Sequence, residues 1–196
     1  MTCKHVLRSS LLMLLITALT LSMSGCTKNR SSANDTVEIP ASYYEFFGDT
    51  PADDVEAVQA LGPAFCTRCY RSNGGMVMKL SPRQRENLRS KYLSWIHYYT
   101  DELESAGENY QVIGSKDYRV LTLVFDEKLD VNSTNELVQG LAYYYVLNQL
   151  LDGAGENWSL DLRIKNCNTG KLVAKVKIPE QQIDFSGADW NKGIDE

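Results

Sequence analysis

The chain of 196 residues contains 20 lysines and arginines against 25 aspartates and glutamates, which gives a formal net charge of −5 at pH 7. This acidic balance excludes a general nucleic-acid-binding role, because proteins of that class neutralise phosphates with an excess of basic side chains. The length is sufficient for one domain with a sizeable hydrophobic core.

The first 26 residues have the three parts of an export signal. Lys4 and Arg8 precede the uncharged run LLMLLITALTL at residues 11–21, and small residues follow it up to Cys26. A basic segment, a short apolar segment and a small-residue exit are typical of a signal peptide. The apolar run is too short for a permanent membrane span, which needs about 20 residues.

The exit of this signal, Met23-Ser24-Gly25-Cys26, resembles the lipobox of bacterial lipoproteins. The resemblance implies transfer of a diacylglyceryl group to the Cys26 sulfur and removal of residues 1–25. It further implies a protein held by lipid on the extracytoplasmic side of a bacterial cell membrane. The alternative is ordinary signal cleavage after Ser24, which would leave Cys26 as a free thiol. The mature domain is not assigned to a family.

Residues 26–50 are predicted to form a tether between the lipid and the domain. The stretch TKNRSSANDTVEIP, residues 27–40, is polar and has almost no apolar periodicity, which is typical of a linker. The aromatic segment YYEFF that follows, residues 43–47, packs on the domain edge or lies at the membrane interface. The domain itself is predicted over residues 51–180, and a polar tail over residues 181–196.

The first half of the domain is predicted to contain a short helix, a hairpin and a long helix. The short helix runs from Pro51 to about Leu61, and Asn73-Gly74 indicates a tight turn between two strands. The segment Ser81-Pro82-Arg83-Gln84 then predicts a capped helix start, and Gly107 predicts its end. Apolar side chains recur between them at steps of three and four. They are Leu88, Tyr92, Ile96, Tyr99 and Leu103, and Trp95 widens the stripe.

The second half is predicted to contain a hairpin, a helix and a third hairpin. Residues 110–126 predict a second hairpin, and Ser133-Thr134-Asn135-Glu136 predicts a capping box at the start of a helix that is apolar around much of its circumference. The alternating segments WSLDLRI and KLVAKVKI flank a turn at residues 167–170. The predicted fold class is therefore α+β, with an antiparallel sheet of about six strands, formed by three hairpins, and two main helices packed on one face.

Three cysteines remain in the domain: Cys66, Cys69 and Cys167. Cys66-Thr67-Arg68-Cys69 has the spacing of a redox pair, although it precedes a turn rather than a helix. Alternatives are a structural disulfide, which could join either of these residues to Cys167, and reduced, packed thiols. A zinc site would need all three cysteines and His97 to converge, so no metal and no cofactor are predicted.

Arg83, Arg85 and Arg89 occupy the first turns of the predicted long helix, and acidic residues cluster at its end. Both placements oppose the helix macrodipole, and a local rule that is broken often marks function. The three arginines are a candidate patch for an anionic envelope polymer or partner protein. The alternative is a solvated face whose charges pair with acids elsewhere in the domain.

No nucleophile–base arrangement, phosphate-binding loop or zinc-protease motif is present in the sequence. The sequence therefore predicts a lipid-anchored cell-envelope protein that acts as a non-enzymatic binding or interaction module. One alternative is an envelope enzyme or thiol-redox factor that uses Cys66 and Cys69. Another is an accessory subunit of an envelope complex.

Overall fold

The computed structural model describes residues 35–126, 131–185, 189–190 and 192–194, with the backbone alone for residues 131–134. These residues form four α-helices and seven strands in two sheets. The strands are β1 (Asp35–Ile39), β2 (Arg68–Ser72), β3 (Gly75–Leu80), β4 (Gln111–Gly114), β5 (Val120–Phe125), β6 (Leu160–Asn166) and β7 (Leu172–Ile178). The helices are α1 (Ala41–Phe47), α2 (Pro51–Ala60), α3 (Pro82–Ser105) and α4 (Val131–Leu151). The α+β class is confirmed.

The first sheet has the strand order β1-β3-β2, and both of its strand pairs are antiparallel. Strands β2 and β3 form the predicted hairpin, with Asn73 and Gly74 at φ 49° and 77°. Positive φ at both central residues is the geometry that Asn-Gly favours in a two-residue turn.

The second sheet has the strand order β4-β5-β6-β7. Its outer pairs are the two other predicted hairpins, but β5 and β6 are parallel. The prediction of one antiparallel sheet of about six strands with two helices on one face is therefore wrong. Parallel neighbours need a long crossover connection, and the 21 residues of α4 provide it.

The prediction of a tether over residues 26–50 is wrong from residue 35 onward. Strand β1 pairs with β3, and its Val37 and Ile39 are buried. The aromatic segment forms α1, in which Tyr43 and Tyr44 are buried in the core. The sequence gives only a weak strand signal for β1, because just two apolar residues, Val37 and Ile39, alternate with polar ones. Residues 26–34 lie outside the described part of the chain.

The start of α3 has the predicted cap. The Ser81 side chain accepts a hydrogen bond from the Gln84 N–H at 3.3 Å, and Gln84 Oε1 accepts one from the Ser81 N–H at 2.8 Å. The capping box predicted at residues 133–136 is wrong, because α4 begins at Val131 and these residues lie inside the helix.

Helix α4 lies at the centre of the domain and packs against α3, β1 and β6. Its polar Gln149 is also buried, and the side chain is fully hydrogen bonded. The Gln149 amide donates to the carbonyl oxygens of Tyr118 at 2.7 Å and Ser159 at 2.9 Å. The Ser159 N–H donates back to Gln149 Oε1 at 3.3 Å. One buried amide thus joins α4 to the residues that precede β5 and β6.

The close approach of β3 to the end of β1 depends on Gly75. A Cβ atom at this position would overlap the carbonyl oxygen of Ile39, which is backbone and cannot rotate away.

We expect Gly75→Ala to lower the free energy of unfolding by about 1–3 kcal/mol, because the strands must separate to admit the methyl group. Urea denaturation measures this change. Glu38→Ala, at an exposed position of β1, is the control and should change stability by less than about 0.5 kcal/mol.

Candidate functional site

The structure brings two of the three candidate thiols together. Cys66 lies just before β2 and Cys69 is buried within it, and each thiol influences the pKa of the other. The Cys66 thiol donates to the Lys79 carbonyl oxygen at 3.9 Å. Cys167 lies in the turn after β6, in the other sheet, where its N–H donates to the Phe125 carbonyl at 2.9 Å. All three are free thiols in the structure, and Cys26 lies outside the described residues.

The environment of the Cys66–Cys69 pair disfavours thiolates. The pKa of the Cys69 thiol is raised to about 12, chiefly by burial and in smaller part by the neighbouring Cys66 and Asp54. Burial also raises the pKa of Cys66, against smaller opposing effects of backbone hydrogen bonds. A redox-active pair needs a thiol that ionises readily near neutral pH. This pair lacks that property.

Two of the three candidate arginines are engaged within the domain. Arg85 Nη1 donates to the Leu151 carbonyl at 2.7 Å, and Arg89 Nη2 lies 2.5 Å from Asp152 Oδ1. Arg83 is exposed. The start of α3 therefore lies beside the end of α4, where cations are favourable because the carbonyl groups there carry partial negative charge. The charges that oppose the dipole of α3 complement that of α4.

The described residues contain no cluster of three or more potential metal ligands among histidine, cysteine, aspartate and glutamate. None of their helices is both long and apolar enough to cross a membrane. His97, considered above as a ligand, lies exposed on α3.

The most distinctive surface of the described domain is an aromatic groove formed by α2, α3, α4 and the end of α1. It consists of two pockets that share Tyr143 and Tyr144. The Phe47 pocket, of about 350 Å³, is completed by Phe47, Asp49, Tyr99, Glu136, Gln139 and Gly140. The Trp95 pocket, of about 240 Å³, is completed by Asp54, Ala57, Val58, Leu61, Lys91, Tyr92, Trp95 and Leu147.

Ring contacts between α3 and α4 hold the groove in shape. The Trp95 ring stacks on Tyr144 with centroids 6.0 Å apart and an interplanar angle of 9°, and Tyr99 stacks on the same ring at 6.0 Å and 30°. The Tyr99 ring can lie this close to α4 only because residue 140 is glycine. A Cβ atom at Gly140 would lie 2.5 Å from Tyr99 Cζ. Trp95 and the adjacent Tyr98 nevertheless remain 37% and 48% exposed.

Asp54 is a partly buried acid at the junction of α1, α2 and α4. Its carboxylate accepts hydrogen bonds from the Tyr44 hydroxyl at 3.1 Å and the Tyr143 hydroxyl at 2.9 Å. Burial raises the pKa of Asp54, the two tyrosine hydrogen bonds oppose that shift, and the charges of Asp49 and Asp53 add to it. The carboxylate thus fixes the Tyr143 ring and adds negative charge beside the groove.

The helical spacing of Tyr92, Trp95 and Tyr99 predicts a core stripe and gives no indication of the groove. The consecutive tyrosines at residues 143–145 were an available signal. Successive residues of a helix point about 100° apart, so three in a row cannot all face one core. Tyr145 is buried, whereas Tyr143 and Tyr144 are only partly buried and line the groove.

The position of the arginines leads to a stability prediction. We expect Arg85→Gln to lower the free energy of unfolding by about 1–2 kcal/mol, because the Leu151 carbonyl loses a charged donor. Arg83→Gln is the matched control and should change it by less than about 0.5 kcal/mol. Urea denaturation of both variants tests this, and equal midpoints would contradict an internal role for Arg85.

The raised pKa of Asp54 leads to a pH prediction. The folded protein keeps a proton on Asp54 at pH values where the unfolded chain has lost it, so this group lowers stability as the pH rises through its folded pKa. Asp54→Asn removes the titration, and the decline in stability above about pH 4 should become shallower. Urea midpoints between about pH 4 and pH 7 measure the slope. Glu56→Gln, an exposed change on α2, should leave the slope as it is.

Chemically, the groove offers flat apolar faces, carboxylates and an amide, which are the components of a binding site for a small ligand or a side chain. No protein-family model, no curated protein and no solved structure matches this chain.

Proposed function

We propose that the protein is a lipid-anchored binding module of a bacterial cell envelope, and that it binds its ligand in the aromatic groove. The observation that carries the second half of this proposal is the exposure of Trp95 and Tyr98 beside two pockets lined by further rings. Aromatic side chains that remain exposed next to a concave surface are typical of binding sites.

The energetics favour a ligand at this position. Covering the exposed part of one of these rings removes several tens of square ångströms from water, worth roughly 25 cal/mol per Å². The stacked contacts among Trp95, Tyr99 and Tyr144 hold the rings in place before binding, so little side-chain entropy is lost when a ligand arrives.

The thiol-redox alternative has less support. The pKa values of Cys66 and Cys69 are both raised, and a catalytic thiol needs the opposite shift. The anion-binding alternative keeps only Arg83 as an exposed arginine of its three, because Arg85 and Arg89 contact the end of α4. An accessory-subunit role remains compatible with the groove if the ligand is a segment of a partner protein.

The lipid anchor rests on the lipobox resemblance of residues 23–26. Stable membrane attachment needs two acyl chains or more, which a diacylglyceryl group supplies.

We expect Cys26→Ala to move the protein from the membrane to the soluble fraction, as measured by fractionation and intact mass. Cys66→Ser is the control and should stay with the membrane. Membrane retention of Cys26→Ala would contradict the anchor.

Binding in the groove is tested by nuclear magnetic resonance with three probes of different chemistry: choline, N,N′-diacetylchitobiose and triproline. We expect at least one probe to shift the Trp95 indole resonance and the backbone amides of Gly140 and Tyr144. The indole of Trp190, which contacts Phe125 outside the groove, serves as the internal control. Shifts by none of the probes, or shifts confined to other surfaces, would contradict the assignment of the groove.

A further inference from the structure

We propose that the Phe47 pocket of the aromatic groove binds an organic ammonium group, such as a quaternary amine. This inference rests on the proposed function, because it names the class of ligand for the same groove. It follows from the charge of the pocket lining and from the arrangement of its rings.

The lining of the Phe47 pocket is negatively charged. Asp49 and Glu136 are both exposed carboxylates at its wall, and neither lysine nor arginine is among the described residues that line it. Lys91 belongs to the Trp95 pocket, where its Nζ lies 5.4 Å from the Trp95 ring centroid. An anionic ligand would meet repulsion in the Phe47 pocket, whereas a cation would find complementary charge.

The rings of this pocket stand as walls at nearly right angles. The Phe47 and Tyr143 centroids are 5.4 Å apart with an interplanar angle of 80°, and those of Tyr143 and Tyr144 are 5.1 Å apart at 78°. Together these rings form an aromatic wall beside the two carboxylates. Ring faces carry negative potential, and aromatic side chains are typical partners of quaternary ammonium groups.

The carboxylate of Asp54, which contacts the hydroxyl of Tyr143, also favours a cation in the pocket. It accepts the hydrogen bond of the Tyr143 hydroxyl at 2.9 Å, so its charge polarises the ring that faces the pocket. The charge of Asp49 also reaches Asp54 and helps to raise its pKa. A cation in the Phe47 pocket would offset this repulsion between the two carboxylates.

The pocket volume of about 350 Å³ admits a small ligand, whether cationic or neutral. A neutral sugar or a proline-rich peptide would use the same rings but would gain little from Asp49 and Glu136. Charge is therefore the property that separates the proposed ligand class from the others. The decisive comparison is between two ligands of one shape that differ only in charge.

The experiment titrates the lipidated mature protein, in an uncharged detergent at low salt, with choline and with 3,3-dimethylbutan-1-ol. The two probes are isosteric, but only choline carries a positive charge. Isothermal titration calorimetry should show choline binding, with the neutral isostere at least about tenfold weaker.

Variants locate the site. Tyr144→Leu should weaken choline binding by about tenfold, through loss of a ring face. The double change Asp49→Asn with Glu136→Gln should weaken it by about threefold or more at low salt, without affecting the neutral isostere. Glu180→Gln, an exposed change after β7 that lines neither pocket, is the matched control and should leave binding unchanged. Unfolding midpoints of all variants identify any that fail to fold.

The outcomes separate this inference from the proposed function. Equal binding of choline and its neutral isostere, sensitive to Tyr144→Leu, would overturn the ammonium assignment but leave the groove as a binding site. Binding of diacetylchitobiose or triproline in the groove, with no binding of choline, would overturn it in the same way. Choline binding that is insensitive to all groove variants would also overturn it, since the site would lie elsewhere.

Discussion

Burial of α4 on several sides at once is the constraint on which the rest of the structure depends. The helix packs against α3, against β1 of the first sheet and against β6 of the second, so both sheets share one apolar centre. It also forms the crossover that allows β5 and β6 to lie parallel. The buried Gln149 amide fixes its rotation by bonding the residues before both strands. A polar side chain at this depth is tolerated because both its oxygen and its nitrogen have partners.

The groove lies on the face of α4 that the two sheets do not cover. The side chains of α4 that face the sheets are completely buried. Tyr143 and Tyr144 point toward α2 and α3 and are only partly buried. The two longest helices therefore share two kinds of contact. Arg85 and Arg89 hold the start of α3 to the end of α4 by charge, and stacked rings hold the middle of the pair. The rigid part of the interface thus supports the part that is open to a ligand.

Local features of the fold could be predicted from the sequence, and long-range features could not. The Asn73-Gly74 turn and the Ser81 cap depend on neighbouring residues, and both are as predicted. The parallel pairing of β5 with β6 depends on where a whole helix returns the chain, which no short pattern encodes. The same limit explains the site. Cys66 and Cys69 are close in sequence and are found together, whereas the Phe47 pocket is assembled from α1, α3 and α4, and no single segment reveals it.

The early start of β1 has a consequence if Cys26 carries the proposed lipid. Only nine peptide steps separate Cys26 from Asp35, and a fully extended chain covers no more than about 3.6 Å in each. The lipidated cysteine and the first strand would then be at most about 32 Å apart, which is close to the diameter of a small domain. With the proposed lipid in place, the groove would stay within a layer of solvent next to the bilayer whose depth is set by this span and by the size of the domain. Its effective targets would be molecules enriched in that layer, including other membrane-bound components that share its lateral diffusion.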